Sequence, residues 1–282
     1  MNKQFISTSS GKICIYSGEP TEKPGLLCIH GGMGLASDSL IPSLQTLSET
    51  FDLSFMDQRG HGESEAPINK SYFLENFSKD ISEVVEIIKP TKPLGLFGHS
   101  MGGMIAIQTL SDFPELFQFA FLANTALDFE WQKAASEAVL SLDDLSLSKA
   151  VSDYEKNPTS VTLATLAINY GPIYFPELNR ERAELEMHKF SYRPDSIAFM
   201  DKSVYPHMNL EKQIARIKIP TLVISGERDV VVPPLCQRKI SARLNYGEII
   251  TIGGAGHFPF ITKQKEFKKA VTDWWEIKRR GI

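Results

Sequence analysis

The feature that most constrains this chain is the pentapeptide Gly98-His99-Ser100-Met101-Gly102, which lies between an apolar strand-like run and an apolar helix-like run. A serine at a sharp strand-to-helix turn is held in a strained backbone conformation, and its hydroxyl projects from the top of a sheet. The flanking glycines fit this geometry, because a Cβ at either position would collide with the neighbouring strand and helix. The pattern predicts that Ser100 is a nucleophile, provided that the chain also supplies a base, an acid and an oxyanion hole.

The candidate base is His257, one of six histidines in the chain. It follows the β-branched run 249–252 and the glycine-rich stretch 253–256, which together predict a loop just past a late strand. Such a loop leaves the imidazole free to reach Ser100 and remove its proton. His99 adjoins Ser100, but its position on the elbow itself directs its side chain away from the hydroxyl.

The candidate acid is Asp229, which follows the apolar run Thr221–Ser225. That run is typical of a buried parallel strand, and catalytic groups gather at the carboxyl ends of such strands. Asp57 and Asp128 also follow apolar runs and are the alternatives. Asp229 is preferred because the order serine, acid, histidine is the one expected for this kind of serine turn.

Two backbone N–H groups are needed to stabilise the oxyanion of a tetrahedral intermediate. The amide of Met101 is one candidate, since it directly follows the nucleophile at a helix N-terminus. The amide of Gly32 is the other, in an early glycine-rich loop that also contains His30, and we expect His30 to shape this loop. No motif with metal-ligand spacing is present, so neither a metal nor a cofactor is predicted.

The rest of the chain alternates apolar runs with helical patterns, which indicates an α/β fold with a mostly parallel sheet and helices on both faces. An N-terminal hairpin is expected from Gln4–Thr8 and Lys12–Tyr16. The predicted strands that follow are Leu26–Ile29, Leu53–Met56, Leu94–Phe97, Phe119–Leu122, Thr221–Ser225 and Glu248–Ile252. One predicted helix has the apolar face Phe73, Phe77, Ile81, Val84, Val85 and Ile88, and a last helix, about 264–279, has Phe267, Val271, Trp274 and Trp275.

Residues 128–209 interrupt this alternation, because they contain helical stretches and no convincing strand. We predict that they form a helical cap over the active site and that residues 1–127 and 210–282 form the core. The cap is rich in aromatic residues, which could line an apolar pocket, although each one taken singly is more often a packing residue. Glu177, Glu181 and Glu184 are candidates to bind a substrate amine, with a solvated helix face as the simpler interpretation.

Composition limits the possible partners and location. The formal net charge of −4 provides no basic surface, which argues against nucleic acid and anionic membranes as partners. Three scattered cysteines do not form a disulfide framework, and the N-terminus lacks a hydrophobic signal segment. We therefore expect a cytoplasmic protein; the oligomeric state cannot be predicted.

Taken together, these motifs resemble the α/β-hydrolase family over nearly the whole chain. The matching segments are His30-Gly31-Gly32, residues 57–64 (Asp-Gln-Arg-Gly-His-Gly-Glu-Ser), 98–102, 226–229 and Gly256-His257. The resemblance implies an α/β-hydrolase fold with an inserted helical cap. It also implies Ser100 as nucleophile, Asp229 as acid, His257 as base, and Gly32 and Met101 as oxyanion donors.

Within the family, the early loop and the 57–64 segment look like the prolyl aminopeptidase branch. That branch usually has proline where Met33 stands and a Gly-Gly-Ser-Trp-Gly elbow, whereas His99 and Met101 flank the serine here. The elbow of this chain is more similar to those of esterases, lactonases and carbon–carbon bond hydrolases. A serine in the elbow argues against haloalkane dehalogenases and epoxide hydrolases, which use an aspartate there.

The sequence thus predicts a serine hydrolase that cleaves a small ester, lactone, thioester or amide through an acyl-enzyme, with a small-molecule acyl substrate as its partner. One alternative is a prolyl-aminopeptidase-like exopeptidase, which needs cap carboxylates near the free amine of its substrate. Another is a ligand-binding member of the fold that does no chemistry, because fold alone does not establish catalysis.

Overall fold

The apolar runs of the sequence form one eight-stranded sheet in the computed structural model, which describes residues 1–141 and 144–281. The strands are β1 (Asn2–Thr8), β2 (Gly11–Ser17), β3 (Gly25–Ile29), β4 (Asp52–Met56), β5 (Leu94–His99), β6 (Phe119–Ala123), β7 (Thr221–Gly226) and β8 (Gly247–Ile252). Their order across the sheet is β1-β2-β4-β3-β5-β6-β7-β8. The β1–β2 and β2–β4 pairs are antiparallel and the other five are parallel, which confirms the predicted mostly parallel sheet.

The helices connect these strands and fill the segment between β6 and β7. They are α1 (Ile41–Leu44), α2 (Leu74–Ile88), α3 (Met101–Asp112), α4 (Trp131–Ser141), α5 (Leu145–Lys156), α6 (Ser160–Asn169), α7 (Gly171–Tyr174), α8 (Arg180–Met187), α9 (Ile197–Phe199), α10 (Glu211–Ile214), α11 (Pro234–Arg243), α12 (Pro259–Thr262) and α13 (Gln264–Lys278). A π-helical turn spans Met200–Val204, and short 3₁₀ turns cover Ser37–Ser39, Gln45–Leu47, Tyr205–His207 and Arg279–Gly281. Within the described ranges, no helix is both long and apolar enough to cross a membrane.

Both faces of the sheet are buried, which explains why its central strands are continuous apolar runs. Successive residues of a strand point to opposite faces, so Leu27 and Leu96 belong to one buried cluster while Cys28 and Phe97 belong to another. Side chains of α2 and α3 complete the first cluster, and side chains of α13 complete the second. Helices therefore cover the two faces, and the predicted α/β class and doubly wound arrangement are confirmed.

The predicted strands agree with the observed ones to within two residues at each end, and the last helix ends one residue before its predicted bound. The aromatic face of α13 is core, as predicted, because Trp275 packs 4.4 Å from Phe119 and Trp274 packs 5.4 Å from Phe121, measured between ring centroids. The predicted face of α2 is wrong at its two ends. Phe73 precedes the helix and Ile88 ends it, and both side chains are exposed.

The segment 128–209, called the insert below, contains α4 to α9 and no strand among its described residues. An isolated antiparallel bridge pairs Asp128 with Asn209, at the two points where the insert leaves and rejoins the sheet-forming part of the chain. This bridge is compatible with the predicted division into core and cap, which stays a prediction.

Polar contacts tie the insert to the loop that follows β4. The Ser196 hydroxyl lies 2.9 Å from Nε2 of the buried His61, and Nδ1 of that ring lies 2.9 Å from the Arg59 carbonyl. Since a carbonyl can only accept, Nδ1 carries the proton and Nε2 accepts from Ser196. Arg193 donates to the carbonyls of Gly62 and Ser64 at 3.1 and 2.8 Å. These contacts hold the insert against the loop that follows β4.

The neutral His61 predicts a loss of stability in acid. Burial lowers the pKa of His61 to about 3, whereas a histidine in the unfolded chain titrates near ~6.5. The unfolded state therefore binds a proton that the folded state does not, and the free energy of unfolding should fall as the pH drops from about 6.5 towards 3. We expect His61→Gln to make the free energy of unfolding less dependent on pH, by up to about 1.4 kcal/mol per pH unit. Urea unfolding between pH 7 and 5 measures it.

The matched control is His207→Gln, at an exposed histidine of the insert. It should keep the pH slope of the wild type. Equal slopes in the wild type and His61→Gln would contradict the assignment of His61 as a buried neutral group.

Candidate active site

Ser100 lies at the junction of β5 and α3, where its backbone adopts φ 54° and ψ −120°. Such a conformation is rare for a residue with a side chain and costs about 1–3 kcal/mol. The glycines on either side make the turn possible. A Cβ on Gly98 would lie 2.4 Å from the Gly102 carbonyl oxygen, and a Cβ on Gly102 would lie 2.4 Å from the Ile29 carbonyl oxygen. The close approach of backbones expected from the sequence is thus present.

Hydrogen bonds from neighbouring elements hold this turn in place. The Ser100 amide donates to the Ala123 carbonyl at 3.0 Å, which ties it to the end of β6. The Thr125 hydroxyl donates to the Ser100 carbonyl at 2.7 Å, and the buried Gln237 amide donates to the Thr125 carbonyl at 2.9 Å. The strained serine is therefore supported by β6 and by α11, and neither support was predicted from the sequence.

Asp229 and His257 are brought together in a buried pair. Nδ1 of His257 lies 2.8 Å from Oδ2 of Asp229. The other carboxylate oxygen accepts the backbone amides of Val231 and Val232 at 2.9 and 3.0 Å. Both side chains are at most 1% exposed, so the carboxylate can fix the imidazole with Nδ1 protonated and Nε2 free.

Asn124 is a further member of this network that the sequence analysis missed. It follows β6 directly, and its side-chain amide donates to Oδ2 of Asp229 at 2.6 Å. Its backbone has φ 48°, a conformation that asparagine tolerates better than most residues. An asparagine at the carboxyl end of a predicted central strand was the available signal.

His257 is held through its backbone as well as through its ring. Its amide donates to the Tyr174 carbonyl at 3.0 Å, and its carbonyl accepts Nε2–H of His99 at 2.9 Å. Burial lowers the pKa of His99 well below its ordinary value, so His99 is a neutral support for the loop. Ser100 and His257 line the same cavity, but no hydrogen bond joins the Ser100 hydroxyl to the His257 ring in the described chain.

The early glycine loop packs directly against the serine. A Cβ on Gly31 would lie 3.4 Å from the Ser100 Cβ, and a Cβ on Gly32 would lie 3.3 Å from the Met101 Cβ. Met101 is the first residue of α3, so its amide has no acceptor within the helix. Gly32 and Met101 are therefore adjacent, and their role as oxyanion donors stays a prediction.

His30 shapes this loop, as expected. Its Nδ1 lies 2.8 Å from the Gly31 carbonyl, and its Nε2 accepts the Gln58 amide at 3.1 Å. Burial lowers the pKa of His30 to about 4, which keeps it neutral with Nδ1 protonated.

The two alternative acids have other partners. Asp57 accepts the amides of Ser37 and Glu63, both at 2.9 Å, and so organises the loops after β3 and β4. Asp128 accepts the Glu130 amide at 3.0 Å beside the bridge that closes the insert. Neither carboxylate is paired with His257.

Ser100 and His257 open into a cavity of about 410 Å³ between the sheet and the insert. Aromatic residues of the insert line it together with two carboxylates: Trp131, Tyr154, Tyr170, Tyr174, Tyr205, Glu155 and Asp201. Glu177, Glu181 and Glu184, the predicted amine ligands, are not among the lining residues. Glu177 contacts Thr262 and Glu184 pairs with Arg180, and amine binding by these glutamates stays a prediction.

No group of three or more metal-ligating side chains occurs in the part of the chain that the structure describes. The candidate chemistry is carried by a serine, an imidazole, a carboxylate and backbone amides.

A doubly wound α/β sheet with a strained serine at the end of a central strand defines the fold class. The family model described as alpha/beta hydrolase fold matches residues 24–264, and the chain belongs to this family. The predicted family resemblance is thereby confirmed.

Relatives of this chain within the family are named for different activities. The chain is 25% identical over 282 residues to a proline iminopeptidase of Lactobacillus helveticus, covering 91% of both chains. It is 24% identical over 255 residues to a pimeloyl-acyl-carrier-protein methyl ester esterase of Xanthomonas axonopodis pv. citri, covering 88% and 93%. The solved enol-lactonase of Burkholderia xenovorans LB400 superposes with a TM-score of 0.76 at 21% identity, covering 96% of this chain and 99% of that one. This structural likeness concerns the fold alone.

The elbow geometry predicts a large penalty for a single methyl group. Gly102→Ala would place its Cβ against the backbone carbonyls of Ile29 and His30, which cannot move without shifting β3. We expect a loss of about 1–3 kcal/mol and a melting temperature lower by about 2–4 °C for each kcal/mol. Thermal unfolding followed by circular dichroism measures this loss.

Gly18→Ala is the matched control, because nothing lies within 4 Å of a Cβ at that position. It should melt within about 1–2 °C of the wild type. A Gly102→Ala variant as stable as Gly18→Ala would contradict the described packing.

Proposed function

We propose that this protein is a serine hydrolase that cleaves a small ester, lactone, thioester or amide through a covalent acyl-enzyme. The observation that carries the proposal is the strained Ser100, which opens into the same cavity as a histidine held 2.8 Å from a buried aspartate. Family membership supports the proposal and leaves the substrate open, since the relatives are named for different bonds.

In the proposed acylation step, Nε2 of His257 accepts the proton of the Ser100 hydroxyl as Oγ attacks the substrate carbonyl. The carbonyl oxygen becomes negatively charged and accepts hydrogen bonds from the amides of Gly32 and Met101. The imidazolium then donates its proton to the leaving group, whose bond to the carbonyl carbon breaks. Asp229 stabilises the imidazolium and fixes its orientation.

In the proposed deacylation step, water takes the place of the leaving group. His257 accepts a proton from this water while the water oxygen attacks the acyl carbonyl carbon. The bond between that carbon and Ser100 Oγ then breaks, and His257 returns the proton to the serine oxygen. A cavity of about 410 Å³ suits a small acyl group, and its aromatic lining favours an apolar one.

A second candidate, an aminopeptidase-like hydrolase, is favoured by one observation. Asp201 lines the cavity, and partial desolvation of this exposed residue raises its pKa. Among the described residues, no cation or hydrogen-bond donor pairs with its carboxylate. A substrate ammonium group would supply the missing partner, and nearby tyrosine rings would favour it further. Asp201 takes the role that the sequence analysis gave to glutamates elsewhere in the insert.

Ser100→Ala tests the proposed nucleophile. Turnover of p-nitrophenyl butyrate should fall by about 10⁴-fold, because the variant has no nucleophile. Initial rates of purified wild type and variant measure the loss, and the same assay with proline p-nitroanilide tests the second candidate. Equal rates in the two proteins would exclude Ser100. If the wild type turns over neither these substrates nor lactones and thioesters, the non-catalytic alternative is favoured.

Asp201→Asn tests the second candidate, the aminopeptidase-like hydrolase. If the substrate carries an ammonium group, KM for proline p-nitroanilide should rise by about 10-fold or more, because a charge-assisted pair is lost. KM for the neutral butyrate ester should change little. Asp153→Asn makes the same charge change in the insert at a half-buried residue outside the cavity, and it should leave both KM values unchanged. An unchanged anilide KM in Asp201→Asn would argue against the second candidate.

A further inference from the structure

Tyr205 places a hydroxyl group beside both predicted oxyanion donors. It belongs to the insert, where it begins the 3₁₀ turn after the π-helical turn Met200–Val204. A Cβ built on Gly32 would lie 3.0 Å from the Tyr205 Oη and 3.3 Å from the Met101 Cβ. The phenol oxygen therefore faces the point where the loop after β3 meets the start of α3. That point is where the oxygen of a tetrahedral intermediate would be held.

The ring of Tyr205 is held by its aromatic neighbours. Phe129 stacks on it with the two planes 14° apart and the centroids 6.5 Å apart. Trp131 meets it edge-on, at 89° and 5.6 Å. A side chain fixed on two sides keeps its hydroxyl in one place, and a preorganised donor is the kind that stabilises a transition state.

The hydroxyl has the right chemical state for a donor. Burial raises the pKa of Tyr205 well above its ordinary value, and the nearby Asp201 carboxylate raises it further, so the phenol stays protonated. Among the described residues, no protein group accepts a hydrogen bond from the Tyr205 hydroxyl, so it is available to a ligand in the cavity. Tyr174 differs, because its hydroxyl contacts the Met33 sulfur at 3.3 Å.

We propose that the Tyr205 hydroxyl is a third hydrogen-bond donor to the oxyanion, supplied by the insert. This inference rests on the proposed acyl transfer at Ser100. The hydroxyl donates a hydrogen bond to the oxyanion, and its own O–H bond stays intact. Tyr205 is then a catalytic residue, and the rate of the chemical step depends on how the insert is placed over the sheet.

The test is Tyr205→Phe, which removes one oxygen and keeps the ring contacts with Phe129 and Trp131. With p-nitrophenyl butyrate we expect kcat to fall by about 10²-fold, while KM changes by less than about 3-fold. The affinity for propylboronic acid, which forms a tetrahedral adduct on the serine, should fall by a factor similar to that of kcat. The affinity for butyrate, a product that needs no such donor, should stay within about 3-fold.

Tyr192→Phe is the matched control. It removes the same atom from another tyrosine of the insert, one whose hydroxyl donates to the Met187 carbonyl at 2.7 Å and which does not line the cavity. Its kcat should stay within about 2-fold of the wild type. A merely structural role for Tyr205 predicts a loss of stability with an unchanged kcat.

Three results would overturn the proposal: a kcat of Tyr205→Phe within about 2-fold of the wild type, a rise in KM alone, or an unchanged affinity for the boronic acid. If Tyr205→Phe does not fold, 3,5-difluorotyrosine at position 205 keeps the hydroxyl and lowers its pKa. The proposal then predicts a new loss of kcat at alkaline pH, and an unchanged pH profile would overturn it. An inactive wild type would instead be a failure of the proposed function.

Discussion

The structure depends on the tight crossing of backbones around Ser100. Gly98 and Gly102 have no space for a side chain, since a Cβ on either would meet a carbonyl oxygen at 2.4 Å. This contact brings β5, α3 and the end of β3 together, and it places Ser100, Met101 and Gly32 side by side. The strained φ of 54° at Ser100 is tolerated because β6 and the Thr125 hydroxyl hold the turn from two sides. Without that crossing, the serine, the helix amide and the glycine loop would not share one site.

The Asp229–His257 pair depends on a second constraint, which is the set of hydrogen bonds that holds the aspartate in place. Asp229 accepts from the His257 ring, from the Asn124 side chain and from two backbone amides, so its charge is solvated by the protein. The histidines that surround the site are neutral because burial disfavours their charged forms. His257 is distinguished from these three structural histidines by its carboxylate partner, Asp229.

The sequence was sufficient for the parts of the molecule that depend on local pattern. Buried parallel strands are continuous apolar runs, so each could be placed to within two residues. The glycines around Ser100 indicated that backbone segments approach each other closely there. Asn124 was signalled only by its place at the end of a predicted strand, and Asp201 and Tyr205 could not be found in this way. Their positions depend on how β6 ends and how the insert packs over the sheet, which no periodicity records. The same limit applies to Glu177, Glu181 and Glu184, because a charged run does not reveal which side of the insert faces the cavity.

The central claim is that Ser100 is an activated nucleophile, and its direct test is covalent labelling. Purified protein treated with a fluorophosphonate should gain one label, and peptide mass mapping should place that label on Ser100. Asp229→Asn should label more slowly by at least about 10²-fold, because the imidazole loses the carboxylate that orients it. A label at another residue would contradict the assignment of Ser100 as the nucleophile. The absence of any label on the folded protein would contradict it as well.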